Sequence, residues 1–298
     1  MANSEQKNSI KGFFSTLFWP LTATLDFLQK YFKGILLLMV LLIIIGAAQR
    51  SNVQRPNLMS IKLTGTILDS KKMLDQIKEA QARNIKGVLF IIDSPGGAVA
   101  PSIEISRAIK RLRAKKPVVV YAAGTLASGS YYSAIWANEI IANPGAIVGS
   151  IGVIFESANI KKLLDTIGIE PQIVKEGKFK EVGTPLRPWK EYEKAEIKKV
   201  LDDTYAMFKE DVAKARKLDL NASETWAEAH IFTARQAKAV GLIDRVGTID
   251  VAKKEVERLS GVKKPLWKRE DKFEKLMERL TDETSSKLAT LLLGPKLF

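Results

Sequence analysis

The sequence predicts an α/β fold with a largely parallel sheet, beginning at about residue 58. Two observations lead to this prediction. Strand-like and helix-like segments alternate along the chain, and the central strands are continuous apolar runs such as GVLFIID (87–93) and PVVVYAA (117–123). Strands that are apolar on both faces are typical of parallel sheets covered by helices. With 298 residues, 46% of them hydrophobic, the chain can bury a sizeable core.

The predicted elements follow one another at short intervals. The first strand is MSIKLTGTI (59–67). The next helix has an apolar face of four side chains at helical spacing: Met73, Leu74, Ile77 and Ala80. Further strands are predicted at 87–93, 117–123, 139–142, 147–154, 170–175 and 242–246, and further helices at 103–112, from Ser128 onward and at 190–217.

An uncharged apolar run, GILLLMVLLIIIGAA (34–48), precedes this domain. As a helix it rises ~22 Å, and snorkelling of Lys30 and Lys33 can extend it toward the ~30 Å of a hydrocarbon core. We expect an uncleaved membrane anchor; a cleaved signal peptide is the alternative, because AAQRS follows the run. The expected organisation is an N-terminal cytoplasmic or interfacial segment, an anchor, a linker, a folded domain and a basic amphipathic C-terminal helix: 1–33, 34–49, 50–57, 58–262 and 263–298.

Charge favours a membrane as partner and indicates the orientation. The net charge of +14 would suit an anionic membrane surface or a nucleic acid, but the basic residues are not interleaved with aromatic ones as in nucleic-acid-binding motifs. We therefore expect a membrane and no nucleic acid. Four lysines precede the apolar run and two arginines follow it: Lys7, Lys11, Lys30, Lys33, Arg50 and Arg55. The positive-inside rule then predicts a cytoplasmic N-terminus, with the folded domain on the extracytoplasmic side of the cell membrane.

Composition excludes several kinds of catalytic centre. The chain has no cysteine, so thiol nucleophiles, disulfides and thiolate metal sites are excluded. It has a single histidine, His230, which excludes metal sites built on several histidines. We predict no metal and no cofactor. If the chain activates a nucleophile, the base is His230, a carboxylate or a lysine. A packed or surface histidine is the favoured interpretation of His230.

Two glycine-containing loops carry candidate catalytic groups. In DSPGGAVAPS (93–102) the adjacent Gly96 and Gly97 can point two backbone amides at one oxygen, which would make an oxyanion hole. An ordinary turn is the alternative. In YAAGTLASGSYYSA (121–134) a helix opens at Ser128 between small neighbours, which suits a nucleophile open to a substrate backbone. A helix N-cap serine is the alternative.

Two further segments could complete such a site. NPGAIVGSIGV (143–153) places Ser150 between glycines in a predicted strand, as at a close backbone approach or at a bulge. KEGKFKEVGTP (175–185) holds Lys175, Lys178 and Lys180 in one loop. A catalytic lysine must be uncharged near neutral pH, and burial in an apolar pocket achieves this. The residues alone do not decide which of the three lysines is buried.

Five segments of the chain together resemble the short, single-domain form of the signal peptide peptidase A family, also called protease IV. In chain order they are DSPGG, ASGSYY, NPGAIVGSIGV, GKFK and TARQAKAVGLIDRVG. The resemblance covers roughly 58–262 and implies the Clp-protease/crotonase fold, a spiral of ββα units. It also implies four site assignments: Ser128 as nucleophile, Lys180 as general base, Ser150 as the residue that orients this lysine, and Gly97 with Gly96 as the oxyanion hole.

The same resemblance implies a function. We expect a membrane-anchored serine endopeptidase that degrades cleaved signal peptides and other unfolded apolar peptides at the membrane. Ring-shaped homo-oligomers, in which dyad partners can come from neighbouring subunits, are a further expectation. Two alternatives stay open: a crotonase-type acyl-CoA enzyme that uses the same double-glycine oxyanion hole, and a non-catalytic membrane scaffold.

Overall fold

A computed structural model describes residues 30–34, 36–41 and 55–268. The chain divides into two compact units, Met1–Arg55 and Pro56–Phe298. In the first unit, residues 30–34 and 36–41 are helical. Across the described residues, no helix has the length and apolar character needed to cross a membrane. Most of the expected anchor and linker, and most of the expected C-terminal helix, lie outside the described residues.

The second unit is built on one seven-stranded sheet, within the described part of the chain. Its strands are β1 (Leu58–Thr64), β2 (Gly87–Ser94), β3 (Val118–Ala127), β4 (Glu139–Ala142), β5 (Ile147–Gly149), β6 (Ile231–Thr233) and β7 (Arg245–Val246). The order β1-β2-β3-β4-β7 is parallel throughout. β5 lies parallel to the end of β3 and pairs antiparallel with β6. The predicted α/β class with a largely parallel sheet is confirmed.

Helices cover both faces of this sheet. They are α1 (Lys71–Ala80), α2 (Val99–Arg113), α3 (Gly129–Ala134), α4 (Lys161–Ile167), α5 (Glu191–Arg216), α6 (Ala234–Ala239) and α7 (Ile249–Ser260), with a 3-10 helix at Leu220–Thr225. Successive strand residues point to opposite faces. Phe90 packs in the core shared with α1, α2 and α3, whereas its neighbour Leu89 packs against Val256 of α7. Burial on both faces explains why the central strands contain so few polar residues.

Several of the predicted strands differ from the structure. The strands predicted at 59–67 and 147–154 end at Thr64 and Gly149, the strand predicted at 242–246 is only Arg245–Val246, and the segment predicted as a strand at 170–175 is irregular backbone. Ile173 and Val174 of that segment are exposed. A segment forms a strand only where a neighbouring strand supplies hydrogen-bond partners, and the sheet has none at this position. The pair Ile173–Val174 alone was therefore a misleading signal.

The path of β3 determines where the candidate residues meet. Its first half pairs with β4 and its last three residues pair with β5, so that Ala127 is opposite Gly149. On its other side, Leu126 is opposite Ser94 of β2, after an irregularity in the register. The carboxyl ends of β2, β3 and β5 therefore lie together, which is where α/β sheets commonly bind ligands.

Candidate active site

Ser128 directly follows β3 and has an unusual backbone conformation. Its φ of 52° and ψ of −124° lie where residues with a side chain rarely occur, at a cost of ~1–3 kcal/mol. Its N–H donates to the Gly149 carbonyl at 2.8 Å, which helps to hold this conformation. Ser128 occupies the N-cap position of α3, but its side chain makes no capping hydrogen bond. The N-cap interpretation of the side chain therefore fails, and among residues 30–34, 36–41 and 55–268 no hydrogen bond occupies the hydroxyl.

Glycines allow three backbone segments to approach Ser128 closely. A Cβ atom added at Gly96 would lie 2.6 Å from the Gly129 nitrogen and 2.8 Å from the Ser128 Cβ. One added at Gly97 would lie 2.2 Å from the Ile67 carbonyl oxygen. Real Cβ atoms do not approach this closely, so both positions require glycine. The PGG loop is therefore packed against the start of α3, and it is more than an ordinary exposed turn.

Two backbone amides beside Ser128 remain available for an oxygen atom. Within the described residues, the Gly97 N–H has no hydrogen-bond acceptor. The Gly129 N–H is the first of α3 and has no acceptor within its helix. These amides are near each other, because a Cβ added at Gly129 would lie 3.3 Å from the Gly97 nitrogen. The Gly96 N–H, in contrast, donates to Ser94 Oγ at 3.2 Å.

Ser150 lies beside Ser128, as a result of the pairing between β3 and β5. It also has a positive φ, 49°, and its N–H donates to the His230 carbonyl at 2.7 Å. His230 precedes β6 and lies outside the helices of the described residues. Its side chain is exposed. The single histidine thus supports the site through its backbone.

A buried serine pair, which the sequence analysis missed, holds the loops around Ser128. Ser130 Oγ donates to the Ser94 carbonyl at 2.6 Å and accepts from the Ala127 N–H at 2.9 Å. Both serines are fully buried. The hydroxyl therefore connects the carboxyl ends of β2 and β3 across the site. The only sequence signal was a second serine two residues after Ser128, which is too common a pattern to interpret alone.

An apolar cavity opens next to Ser128. Its walls include Gly97, Ser128 and Gly129, and large side chains from α2, α3 and α5: Ile103, Tyr132, Met207 and Phe208. The rings of Tyr132 and Phe208 are in contact, with centroids 4.7 Å apart. Such a cavity suits an apolar side chain of a bound peptide.

A charged cluster behind the cavity fixes one of these walls. The Tyr132 hydroxyl donates to Asp211 Oδ2, which also accepts from Arg107 at 2.8 Å. Burial raises the pKa of Tyr132, and the hydrogen bond to Asp211 raises it further, so the phenol stays protonated at any physiological pH. The cluster joins α2, α3 and α5 and keeps the Tyr132 ring in place.

The structure distinguishes the three loop lysines. Lys175 is paired with Glu181. The Lys178 ammonium lies 4.9 Å from the centre of the Tyr192 ring and 5.3 Å from that of Phe179. Lys180 is exposed, and its ammonium makes no hydrogen bond or ion pair within the part of the chain that the structure describes. It is also not part of the cavity wall. The structure therefore brings Ser128, Gly97 and Ser150 together. Lys180, in contrast, lies on a separate loop and outside the cavity wall.

The described residues contain no group of side chains suited to binding a metal ion. Among residues 30–34, 36–41 and 55–268, no three His, Asp or Glu side chains are grouped so that they could hold a metal ion. The site is built from hydroxyl groups, backbone amides and an apolar wall. This set of groups is suited to acyl transfer through a serine.

Comparisons with known proteins agree with this chemistry. A model of Peptidase family S49 matches residues 110–263. The Methanocaldococcus jannaschii protein MJ0651, whose name marks it as a protease candidate, is 39% identical over 65% of this chain and 61% of its own length. An Enterococcus faecium protein, whose name proposes a signal peptide peptidase SppA, is 33% identical over 62% of this chain and 56% of its own. The aligned regions thus span less than two thirds of either relative.

A solved structure shares the fold. The 1510-N membrane-bound stomatin-specific protease in complex with a substrate peptide aligns with a TM-score of 0.53. The alignment covers 77% of this chain and 100% of that chain, with 15% sequence identity. At this identity the match supports the α/β fold and carries no information about substrates.

Proposed function

Because the chain belongs to peptidase family S49, we propose that it is a membrane-anchored serine endopeptidase with Ser128 as nucleophile and Lys180 as general base. The observation that carries this proposal is the hydroxyl of Ser128, a residue with a strained backbone. It lies next to the Gly97 amide at an apolar cavity, and neither group has a hydrogen-bond partner within the described residues. Within the Clp-protease/crotonase fold that the sequence resembles, this arrangement combines a nucleophile with an oxyanion hole.

The proposed reaction has two acyl-transfer steps. Neutral Lys180 accepts the Ser128 proton as Oγ attacks the carbonyl carbon, and the Gly97 and Gly129 amides donate to the resulting oxyanion. Removing one such donor typically costs ~3 kcal/mol of transition-state stabilisation. The C–N bond then breaks, and Lys180 returns the proton to the leaving amine. Water, deprotonated by the same lysine, attacks the ester carbonyl carbon; the bond from this carbon to Oγ then breaks, and the lysine returns the proton to Ser128.

The choice of Gly129 as second donor modifies the assignment made from the sequence. The Gly96 amide is already bonded to Ser94 Oγ, whereas the Gly129 amide is free at the start of α3. Gly96 then serves chiefly to let the two segments approach. The amide of the residue after a nucleophile is a recurrent oxyanion donor.

Lys180 is proposed as base because GKFK resembles the segment in which the signal peptide peptidase A family carries its base, and because the other two lysines of the loop have structural contacts. It must be brought to Ser128 and shielded from water before it can act. We propose that this happens in a homo-oligomer, in which Lys180 meets a Ser128 hydroxyl within one subunit or across two. Ser150, at the edge of the same site, would accept a hydrogen bond and orient the lysine.

The proposed substrates are cleaved signal peptides and other unfolded apolar peptides at the membrane. The apolar cavity and the name of the Enterococcus faecium relative support this substrate class. Membrane anchoring is supported by the apolar run at 34–48 and by residues 36–41, whose apolar side chains are all exposed. The N-terminus would be cytoplasmic and the peptidase domain extracytoplasmic.

Alanine substitutions test the dyad. We expect Ser128→Ala and Lys180→Ala each to lower kcat for an apolar fluorogenic peptide by at least ~10³-fold, because neither nucleophile nor base has a substitute. Lys178→Ala is the matched control: it removes a lysine from the same loop and should keep activity within about threefold of wild type. Thermal unfolding would show that all three variants remain folded. Near-wild-type cleavage by Lys180→Ala would refute its role.

Serine-directed labelling separates the proposal from its alternatives. A fluorophosphonate probe should modify wild type at Ser128, and modification should be lost in Ser128→Ala. A crotonase-type acyl-CoA enzyme needs no reactive serine, and a scaffold needs no activity at all. Absence of labelling together with absence of peptide cleavage by the assembled full-length protein would favour these alternatives.

A further inference from the structure

The loop that carries Lys180 is fastened to the start of α5 by a series of charged groups. In spatial order they alternate in sign: Lys175, Glu181, Arg187 and Glu193. None of these four residues lines the cavity beside Ser128. The proposed mechanism gives them no role.

Arg187 is the centre of this series. Its Nη1 and Nη2 donate to the two carboxylate oxygens of Glu193, both at 2.8 Å. Nη2 also donates to Glu181 Oε2 at 3.1 Å. A guanidinium holds a carboxylate in a planar, two-bonded geometry that a lysine cannot reproduce. Arg187 therefore sets the distance between the two glutamates.

One of these glutamates is a fixed point in the fold. Glu193 lies in the first turn of α5 and is completely buried, and it also accepts from the Lys190 N–H at 2.7 Å. The hydrogen bonds from Arg187, and then that from Lys190, lower the pKa of Glu193 to about 2. Its carboxylate is thus ionised and held in place throughout the physiological pH range.

The other glutamate is covalently next to the proposed base. Glu181 follows Lys180 directly, so its position determines where the Lys180 backbone lies. The Lys180 N–H donates to Gly177 O at 3.2 Å in a tight turn. Further contacts fix the rest of the loop: the Phe179 and Tyr192 rings are 5.7 Å apart, and Trp189 Nε1 donates to Thr184 O at 2.8 Å.

We propose that Arg187 is a positioning residue for catalysis, acting through Glu181 to present Lys180 at a defined place relative to α5. This inference rests on the proposed role of Lys180 as general base. It holds whether Lys180 meets Ser128 within one subunit or across two, because the ion pairs lie entirely within the loop and α5. Arg187 bonds to Glu181, Pro188 and Glu193, and none of these residues lines the cavity or belongs to the Ser128 loop.

The proposal predicts a specific kinetic effect. A displacement of ~1 Å from the productive geometry can cost ~10²-fold in rate. We therefore expect Arg187→Gln to lower kcat by about 10- to 100-fold, with KM within about twofold of wild type, since the peptide-binding wall is unchanged. Arg187→Lys keeps the charge without the two-bonded geometry and should retain an intermediate kcat. Glu181→Gln should resemble Arg187→Gln.

The pH profile gives a second readout that a purely structural role would not change. The acidic limb of the kcat/KM profile reports the proposed general base in its catalytic position. Besides Lys175, Glu181, Arg187 and Glu193, the charged side chains at the loop and at the start of α5 include Lys178 and Lys190, which lie near the Tyr192 ring. If Arg187 sets that position through Glu181, the acidic limb should shift in Arg187→Gln.

Arg216 supplies a matched control within the same helix. At the other end of α5 it makes a two-bonded pair with Asp244, at 2.8 and 3.0 Å, and it is largely buried. Arg216→Gln should lower the thermal unfolding temperature but leave the acidic limb of the pH profile unchanged. The comparison separates loss of a buried arginine from loss of lysine positioning.

The experiment is steady-state kinetics on full-length protein with the fluorogenic peptide, together with thermal unfolding and Lys180→Ala as reference. Wild-type kcat and an unshifted pH profile in Arg187→Gln, with Lys180→Ala inactive, would overturn the inference and leave the proposed function standing. An active Lys180→Ala would instead refute the proposed function. If Arg187→Gln does not fold, Arg187→Lys and Glu181→Gln decide by the same two readouts.

Discussion

At the scale of single residues, the site depends on close backbone approaches that permit no Cβ atom. Gly96 and Gly97 meet backbone atoms, which cannot move aside. Gly129 is different, because the nearest atom to an added Cβ would be the Ser102 hydroxyl oxygen, at 2.3 Å. Ser102 is buried in α2 and lines the cavity. Position 129 therefore allows the effects on stability and on catalysis to be separated.

We expect Gly129→Ala to destabilise the fold by ~1–3 kcal/mol through overpacking against Ser102. It should also lower kcat at least about tenfold, because the new Cβ would lie 3.3 Å from the Gly97 nitrogen and crowd the proposed oxyanion hole. Adding Ser102→Ala removes the hydroxyl contact only. The double variant should regain stability but not activity, as measured by thermal unfolding and peptide cleavage, with Ser102→Ala alone as control. Recovery of both together would place the oxyanion elsewhere.

At the scale of elements, α5 links the two halves of the proposed chemistry. Its first turn anchors the lysine loop through Glu193, and its later turns supply Phe208 and Asp211 to the cavity wall and the cluster behind it. A helix transmits position well over this length because its backbone groups are hydrogen-bonded within the helix itself. Much of the α5 surface is charged and exposed, and its buried residues are Glu193, Phe208, Val212 and Ala213.

The anchoring of α5 by Glu193 predicts a pH dependence of stability. The pKa of Glu193 is lowered from 4.5 to about 2 in the folded protein, so its stabilising effect is complete above about pH 4.5 and is lost as the pH falls toward 2. Glu193→Gln should therefore show a shallower loss of melting temperature over this interval than wild type. Glu255, whose pKa is also about 2 because of Arg258, is present in both proteins and cancels in the comparison. Parallel melting curves across the interval would contradict this assignment.

At the scale of the whole molecule, the parallel sheet places the candidate active site at the carboxyl-terminal edge of its strands and the start of β1 at the amino-terminal edge. β1 begins at Leu58, at the amino-terminal edge, whereas Ser128 and Ser150 follow strands at the carboxyl-terminal edge. Lysines and arginines of the C-terminal turn of α2 and of the adjoining loop lie at the amino-terminal edge, where the Lys116 ammonium donates to the carbonyls of Ala80, Ala82 and Ile85. Burial and the nearby Lys86 and Lys115 lower the pKa of Lys116.

The proposed anchor predicts how the whole protein partitions. Full-length protein expressed in bacteria should stay in the membrane pellet after a wash with alkaline carbonate, because a hydrophobic helix is not released by loss of electrostatic contacts. A peripheral protein attached by its net charge of +14 would instead be extracted by carbonate or by high salt. Quantitative release into the supernatant would contradict the anchor.

The sequence by itself was sufficient for the fold class, for the candidate nucleophile and for membership of a peptidase lineage. The strand and helix periods are local properties, and the exclusion of thiol and multi-histidine chemistry follows from counting residues. The segments around Gly97, Ser128 and Ser150 are short motifs defined by their residue order, so the family resemblance can be recognised from the sequence. The match of the peptidase family model to residues 110–263 confirms that lineage.

The three-dimensional structure decided which polar and charged groups come into contact. Only the structure shows that Ser128 makes no capping bond, that the Gly96 amide is occupied by Ser94, and that Lys175 and Lys178 have partners while Lys180 has none within the described chain. It also shows that the segment at 170–175 forms no strand. A hydrogen bond, an ion pair or a pair of strands each requires a partner group. Which partner a residue meets depends on how the chain folds, so it cannot be read from the local sequence.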